Sequence, residues 1–293
     1  MPKFLFLFIL SFSFAQTVSD YAYTHAKVAA MAGAVVAETG SNWSIFHNPA
    51  GITEVDGTQI SIGSGKLFGF NWLRAYNLSG TTTFPEIGKI GFAFQQLETK
   101  YSGKTLSKEQ TLSIAQGFEL QRDKNSHLSI GYTANFVQWD LGKSAGISGD
   151  GTDGLELGSV NAVTVDFGVL ASLREKYRFG VFLKNISSGA LGKGMTRQVL
   201  PRRINTGITY MPMQGLATSI VSEHLLGRDD MQIKAAIRYN LNSNLEIYVG
   251  AQSNPNRFGM GATFTLNTQS ISYGLLTHPV LPMTHQFNLG LSL

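Results

Sequence analysis

Beyond its first fifteen residues the chain is nowhere continuously apolar, yet from Thr58 it alternates with a period of two almost to its last residue. Leu128, Ile130, Tyr132, Ala134 and Phe136 alternate with Ser129, Gly131, Thr133 and Asn135, and Phe258, Met260, Ala262 and Phe264 alternate with Gly259, Gly261 and Thr263. Successive side chains of a strand point to opposite faces, so these runs read as half-buried strands. In the run Ile233 to Tyr239 the second face carries Lys234 and Arg238. Long cations opposite an apolar face suit a transmembrane barrel, with lipid on one side and a lumen on the other.

From Thr58 onward the pattern predicts strands over residues 58–65, 71–82, 87–98, 107–120, 126–140, 159–173, 177–186, 202–212, 217–225, 231–241, 244–252, 256–266, 269–278 and 283–293. Their number is even, as a bacterial single-chain barrel requires, and the fold class is an all-β antiparallel transmembrane barrel. The connections agree. Even-to-odd connections such as 83–86, 121–125, 213–216, 242–243 and 267–268 are short, whereas the two longest, 141–158 and 187–201, are both odd-to-even. Barrels of this kind place short turns at the periplasmic end and long loops outside. A soluble β-sandwich also has period two, but it has no reason to sort its loops by parity.

Three regions follow. Lys3, the apolar run Phe4 to Phe14 and the small residues Ser13 and Ala15 form an export signal over residues 1–15, with the mature chain starting at Gln16. That run is too short to cross a hydrocarbon core, which needs about twenty apolar residues. Residues 16–56 lack period two. Ala26 to Glu38 reads as a short helix or extended segment, and Trp43, Ile45 and Phe46 call for burial, so this region is expected to act as a hatch inside the barrel of residues 57–293.

Charged residues make up only 14% of the chain and the net charge of +4 is scattered, which gives nucleic acid no basic patch. With no cysteine, thiolate metal sites and thiol catalysis are excluded. The six histidines have no nucleophile motif beside them, so no catalytic residue and no cofactor is expected. Asp150 to Glu156 lacks the acidic ladder of a calcium loop and reads as a glycine-rich surface loop, leaving no expected metal site. Gly259-Met260-Gly261 falls within a strand, where it marks a close approach of backbone to the sheet rather than a nucleotide site. Strand parity places Lys89, Glu119, Asp166, Lys184, Arg203, Lys234, Arg238 and Glu246 on the luminal face, with signs mixed enough to pair across strands.

The Ala/Gly stretch from Ala29 to Ala37, followed by Ser44-Ile45-Phe46-His47-Asn48-Pro49-Ala50-Gly51-Ile52, resembles the N-terminal signature of the outer-membrane long-chain fatty-acid transporter (FadL-like) superfamily, and more closely its PorV/PorQ branch. Leu183-Lys184-Asn185-Ile186, Leu200-Pro201-Arg202-Arg203, His278-Pro279 and Thr284-His285 carry further likeness to that branch. The resemblance implies a fourteen-stranded barrel with an N-terminal hatch whose turn is Asn48, Pro49, Ala50 and Gly51. Pro49 fixes its own φ and biases Asn48 away from helix, Gly51 is expected to supply a left-handed turn, and Ile52 an apolar anchor.

Two jobs are implied. The first is a non-enzymatic partner of a type IX-like secretion system, meeting secretion proteins through loops 141–158 and 187–201. The second is an uptake channel for a hydrophobic ligand. Outer-membrane lipid surrounds the barrel in either case, and on this reading the secretion partner is preferred.

Overall fold

The computed structural model describes residues 23–101, 103–144, 146–149, 152–192, 197–227 and 231–293. The expected export signal at 1–15 and its cleavage before Gln16 lie outside them. The barrel strands are β1 Gln59–Lys66, β2 Leu73–Phe84, β3 Gly88–Tyr101, β4 Lys104–Arg122, β5 Ser126–Asp140, β6 Ser159–Leu173, β7 Tyr177–Lys184, β8 Arg203–Met213, β9 Leu216–Leu225, β10 Met231–Asn240, β11 Leu245–Gln252, β12 Arg257–Leu266, β13 Gln269–Leu276 and β14 Thr284–Ser292. Each pairs antiparallel with its neighbours in sequence, and β14 returns to pair with β1, closing the barrel. Thr58 and Leu293 exchange backbone hydrogen bonds at that seam.

Alternation does what the sequence asks of it. On β5 Ser129, Thr133 and Asn135 are buried towards the interior while Tyr132 and Phe136 are exposed on the outer surface. Ile62, Ile114, Val163, Ile220, Phe258 and Phe287 continue that exposed apolar surface around the barrel. One end carries only tight even-to-odd turns, such as 85–87, 123–125, 174–176 and 267–268, and is the turn end; the other, carrying 141–158 and 185–202, is the loop end.

The largest departure from the expected strands is between β3 and β4. Residues 99–106 read as a loop, but both strands run on through this region, and Tyr101 pairs with Lys104. The stretch mixes polar residues with an exposed Leu106 and shows no apolar alternation, yet its backbone keeps pairing with a register shift near Thr99. β7 ends at Lys184, because Asn185 turns at φ 56° and its backbone N–H donates to the Asp166 carboxylate at 2.7 Å. The connection after β7 folds inwards rather than standing out. Ala190–Leu191 pairs with Gln198–Val199 in a two-residue ribbon, and Leu191 and Leu200 are buried against Trp139 and Ala162 on the inner wall. In the other long connection Lys143 and Glu156 pair at 3.1 Å, and the Asp153 carboxylate accepts from the Ile147 and Ser148 backbone N–H groups. That carboxylate serves its own turn. Asp150 and Gly151 lie outside the described residues.

Candidate functional site in the barrel interior

Residues 23–56 thread through the barrel interior. Helix α1, Ala26–Ala30, begins at His25, whose ring Nδ1 accepts from the Lys27 N–H at 3.0 Å, and it packs on β12, β13 and β14. Two 3-10 turns follow, Asn42–Phe46 against β2 and β3 and Pro49–Glu54 against β4, β5 and β6. Room for this segment is made by glycine. Gly117, Gly131 and Gly168 sit side by side on β4, β5 and β6, Gly180 faces Gly207 on β7 and β8, and Gly250 faces Gly259 on β11 and β12. A Cβ added to Gly131 would come 2.5 Å from the Pro49 carbonyl carbon, and one on Gly250 2.3 Å from that of Met31. Glycine is therefore required there by backbone meeting backbone.

Asn48 ties the motif together. Its side-chain oxygen accepts from the Ala50 N–H at 3.2 Å and its Nδ2 donates to Val36 O at 2.8 Å and to Val169 O, on β6, at 3.1 Å. Asn48 is extended, as the following proline favours. Gly51 corrects the expectation made for it: it sits inside the 3-10 turn and not in the left-handed region. A side chain there would press within 3.0–3.1 Å of Ser44 and the Glu38 carbonyl, so what it supplies is space. Ala50 and Ile52 are fully buried.

The charged residues placed on the inner face by parity fall into four groups. Arg238 pairs with Glu246 at 3.0 Å and with Glu38 of the N-terminal segment at 3.2 Å, and Lys27 joins Glu38 at 3.1 Å. Glu223 holds Lys234 at 2.8 Å and Arg203 at 2.5 Å. At the turn end Glu119 meets His127 at 3.2 Å, His127 meets Glu54 at 3.0 Å, and Arg178 meets Glu54 at 3.3 Å; Lys89 nearby donates to the Val55 carbonyl. Asp166 accepts from Asn135 Nδ2 at 2.8 Å and, with Lys184, lines a cavity near the loop end.

The partners Glu38, Glu54, Arg178, His127 and Glu223 were missed at the sequence level. Arg178 and Glu223 sit at inward parity and the same rule would have found them; Glu38 and Glu54 lie where no period exists. Desolvation alone would raise the Glu38 carboxyl, but Lys27, Arg238 and Arg178 outweigh it and bring it to about 2. Desolvation, and then the cations of Lys184 and Lys234, push the His47 imidazole from its ordinary 6.5 down to about 3. The ring is therefore neutral, with Nε2 2.9 Å from the Thr24 hydroxyl.

Two spaces lie along one wall. The cavity near the loop end, about 90 Å³, is bounded by Ile45 and Phe46 of the segment, by Gln95 and Leu97 on β3, by Ser113 on β4 and by Leu200. At the turn end a second, open pocket lies where β3 begins beside β4, bounded by Thr53, Lys89, Gly117 and Glu119 on the inner side and by Ile87, Gln116 and Phe118 on the outer side. Between them Ile45, Ile52 and Val55 pack on Ala93 and Ala115. A third cavity, lined by His47, Lys184, Arg203, Glu223 and Lys234, is charged.

No family model matches the chain, and no curated protein matches it in sequence. Among solved structures it is similar to the monoaromatic hydrocarbon channel CymD, with a TM-score of 0.64 and 11% identity over 94% of this chain and 99% of that one. It is also similar to the Ralstonia pickettii toluene transporter TbuX, with a TM-score of 0.59 and 10% identity over 92% and 97%. For the Pseudomonas putida toluene transporter TodX the values are 0.55 and 14% over 91% and 96%. At these identities the likeness is one of fold.

Proposed function

We propose that the protein is an exported outer-membrane barrel that admits hydrophobic small molecules past an N-terminal hatch. The observation that carries this reading is the pairing of an apolar outer surface, suited to lipid, with a largely filled interior whose loop-end cavity sets an apolar side of Ile45, Phe46, Leu97, Val137 and Leu200 against a polar side of Gln95, Glu109, Asn135, Asp166 and Lys184. An interior so filled does not suit a wide nonselective pore. The proteins of similar fold are a hydrocarbon channel and toluene transporters, which supports uptake over the secretion role preferred from sequence. The cationic residues Lys184, Arg203 and Lys234 line a charged cavity beside the hatch, and the pairs of Arg238 with Glu38 and of Arg178 and His127 with Glu54 are proposed to hold the hatch in place.

The test is uptake by Gram-negative cells of a naphthylamine dye that fluoresces in apolar surroundings. Cells producing the protein should take it up faster than cells producing an unrelated closed barrel. Equal rates contradict the reading.

A second reading, a partner of a type IX-like secretion system, rests on the Asn48 to Ile52 resemblance and on loop 141–158, where Ile147 and Leu155 stand exposed. It is favoured instead if secreted proteins co-purify after mild detergent extraction and removal of residues 146–155 abolishes this.

A further inference from the structure

The segment does not meet the wall in the same way all round. On β5, β7, β11, β12 and β13 it is main chain that presses on the wall glycines: Pro49 C and O at Gly131, Val36 C and O at Gly180, Met31 C and O at Gly250, Ala29 O and Ala30 O at Gly259, and Ala26 O at Gly274. Displacing such a contact means moving backbone held by hydrogen bonds and ion pairs. On β3 and β4 the segment atoms nearest the glycines are side chains, as they also are at Gly168 on β6 and Gly207 on β8, and its main chain is held there by the Val55 carbonyl accepting from Lys89. A Cβ on Gly91 would meet Ile45 Cδ1 at 2.6 Å, and one on Gly117 would meet Ile52 Cγ1 at 2.8 Å and Thr53 Cγ2 at 2.9 Å. Side-chain ends change rotamer without backbone motion, at a cost far below that of unthreading a segment.

This is also the wall along which the two spaces are stacked. Along β3 the order from the loop end is Leu97 and Gln95 at the cavity, Ala93 and Gly91 at the plug, and Lys89 at the turn-end pocket. Along β4 it is Ser113, then Ala115, then Gly117 and Glu119. From Ser113 to Gly117 a strand rises about 13 Å, so a short apolar neck separates the two spaces. Its wall is built only of small residues, and its closing parts are Ile45 and Ile52.

We propose that the permeant passes down the β3–β4 wall and that Ile45 and Ile52 form the apolar constriction that decides what passes, while the rest of the segment stays fixed. The inference rests on the uptake reading, from which it takes the existence of a permeant. The neck offers no side-chain charge or hydrogen-bonding group among Ile45, Ile52, Val55, Ala93 and Ala115. It therefore selects uncharged bodies narrow enough to displace a methyl group and rejects hydrated ions, because an apolar constriction of this kind empties of water.

Ion conductance of the full-length protein in planar bilayers in potassium chloride tests this without any permeant, so its outcome is separable from that of the dye experiment. Ile45→Ala with Ile52→Ala should raise conductance several-fold over the unaltered protein. Val28→Ala with Met31→Ala, which removes comparable apolar bulk on the fixed side, should leave it unchanged. The chain has no cysteine, so Thr53→Cys added to the open pair gives a single thiol beside the neck. A cationic thiosulfonate should then block the gained current. Folding is checked by heat-dependent electrophoretic mobility, and single Ile45→Ala replaces the pair if the pair does not fold. A folded variant with unaltered conductance, an equal gain from Val28→Ala with Met31→Ala, or a gained current that thiol modification leaves untouched overturns the proposal.

Discussion

The two sides of the barrel interior seat the same N-terminal segment by opposite means. On β11, β12 and β13 the wall carries glycines and the segment lies on it by main chain, reinforced close by through Lys27, Glu38, Arg238 and Glu246. On β3 and β4 the wall is also small, but isoleucine tips fill the space and no ion pair crosses it among Ile45, Ile52, Ala93 and Ala115. A single stretch of chain can thus be a fixture on one side and a yielding constriction on the other. What decides is whether backbone or side chain touches the wall.

The sharpest way to break this contrast is to add side chains to each wall. Gly250→Leu must push the Met31 backbone aside and should prevent the segment from docking, seen as a lost thermal transition or a lowered denaturant midpoint in lipid vesicles. Gly91→Ala meets the Cδ1 and Cγ1 atoms of Ile45 and no segment backbone, and should cost about 1 kcal/mol, the low end for overpacking. Equal costs would erase the distinction.

Next in size is Glu38→Gln, which leaves the Lys27 and Arg238 cations without their shared carboxylate and should cost about 3 kcal/mol by the same titration. Asn48→Ala removes two donors and a cap from the motif and should cost about 2 kcal/mol.

The effect of pH is no larger. With its folded pKa at about 3, His47 refuses in the docked state a proton that it accepts, at its ordinary 6.5, once released. Docking should therefore weaken as pH falls from about 6.5 towards 3, by about 1.4 kcal/mol per pH unit, which is about 2 kcal/mol between pH 7 and pH 5. Glu38 adds to this only below 4.5, its contribution being complete above that and lost as pH falls through about 2. Melting temperatures at pH 7 and pH 5 should differ, and His47→Gln should remove the difference.

Much of the barrel was legible because each strand carries one apolar and one small or polar face over its whole length. Legibility fails where that cause fails. Residues 99–106 lie at the loop end and carry no apolar alternation, so β3 and β4 continue there on backbone pairing that the pattern does not reveal. Of the interior, strand parity put Lys89, Glu119, Asp166, Lys184, Arg203, Lys234, Arg238 and Glu246 on the inner face, and the same rule reaches Arg178 and Glu223. It cannot reach Glu38 or Glu54, whose positions depend on how a segment without a period threads the barrel. Gly259 and Gly261 were legible as close approaches, and Gly259 lies beneath the Ala29 and Ala30 carbonyls. Gly51 was misread because glycine serves both turns and tight packing, and sequence does not tell the two apart.

The central claim, that molecules pass beside a fixed segment rather than through the space left by a departing one, is tested most directly by tying the segment down. Methyl groups of Val36 and Val221 converge beside Gly207, so Val36→Cys with Val221→Cys offers a tether on the fixed side. Uptake of the naphthylamine dye should be the same with the disulfide formed and with it reduced. Uptake that stops when the tether forms and returns on reduction would show that the whole segment must leave, and would contradict the account.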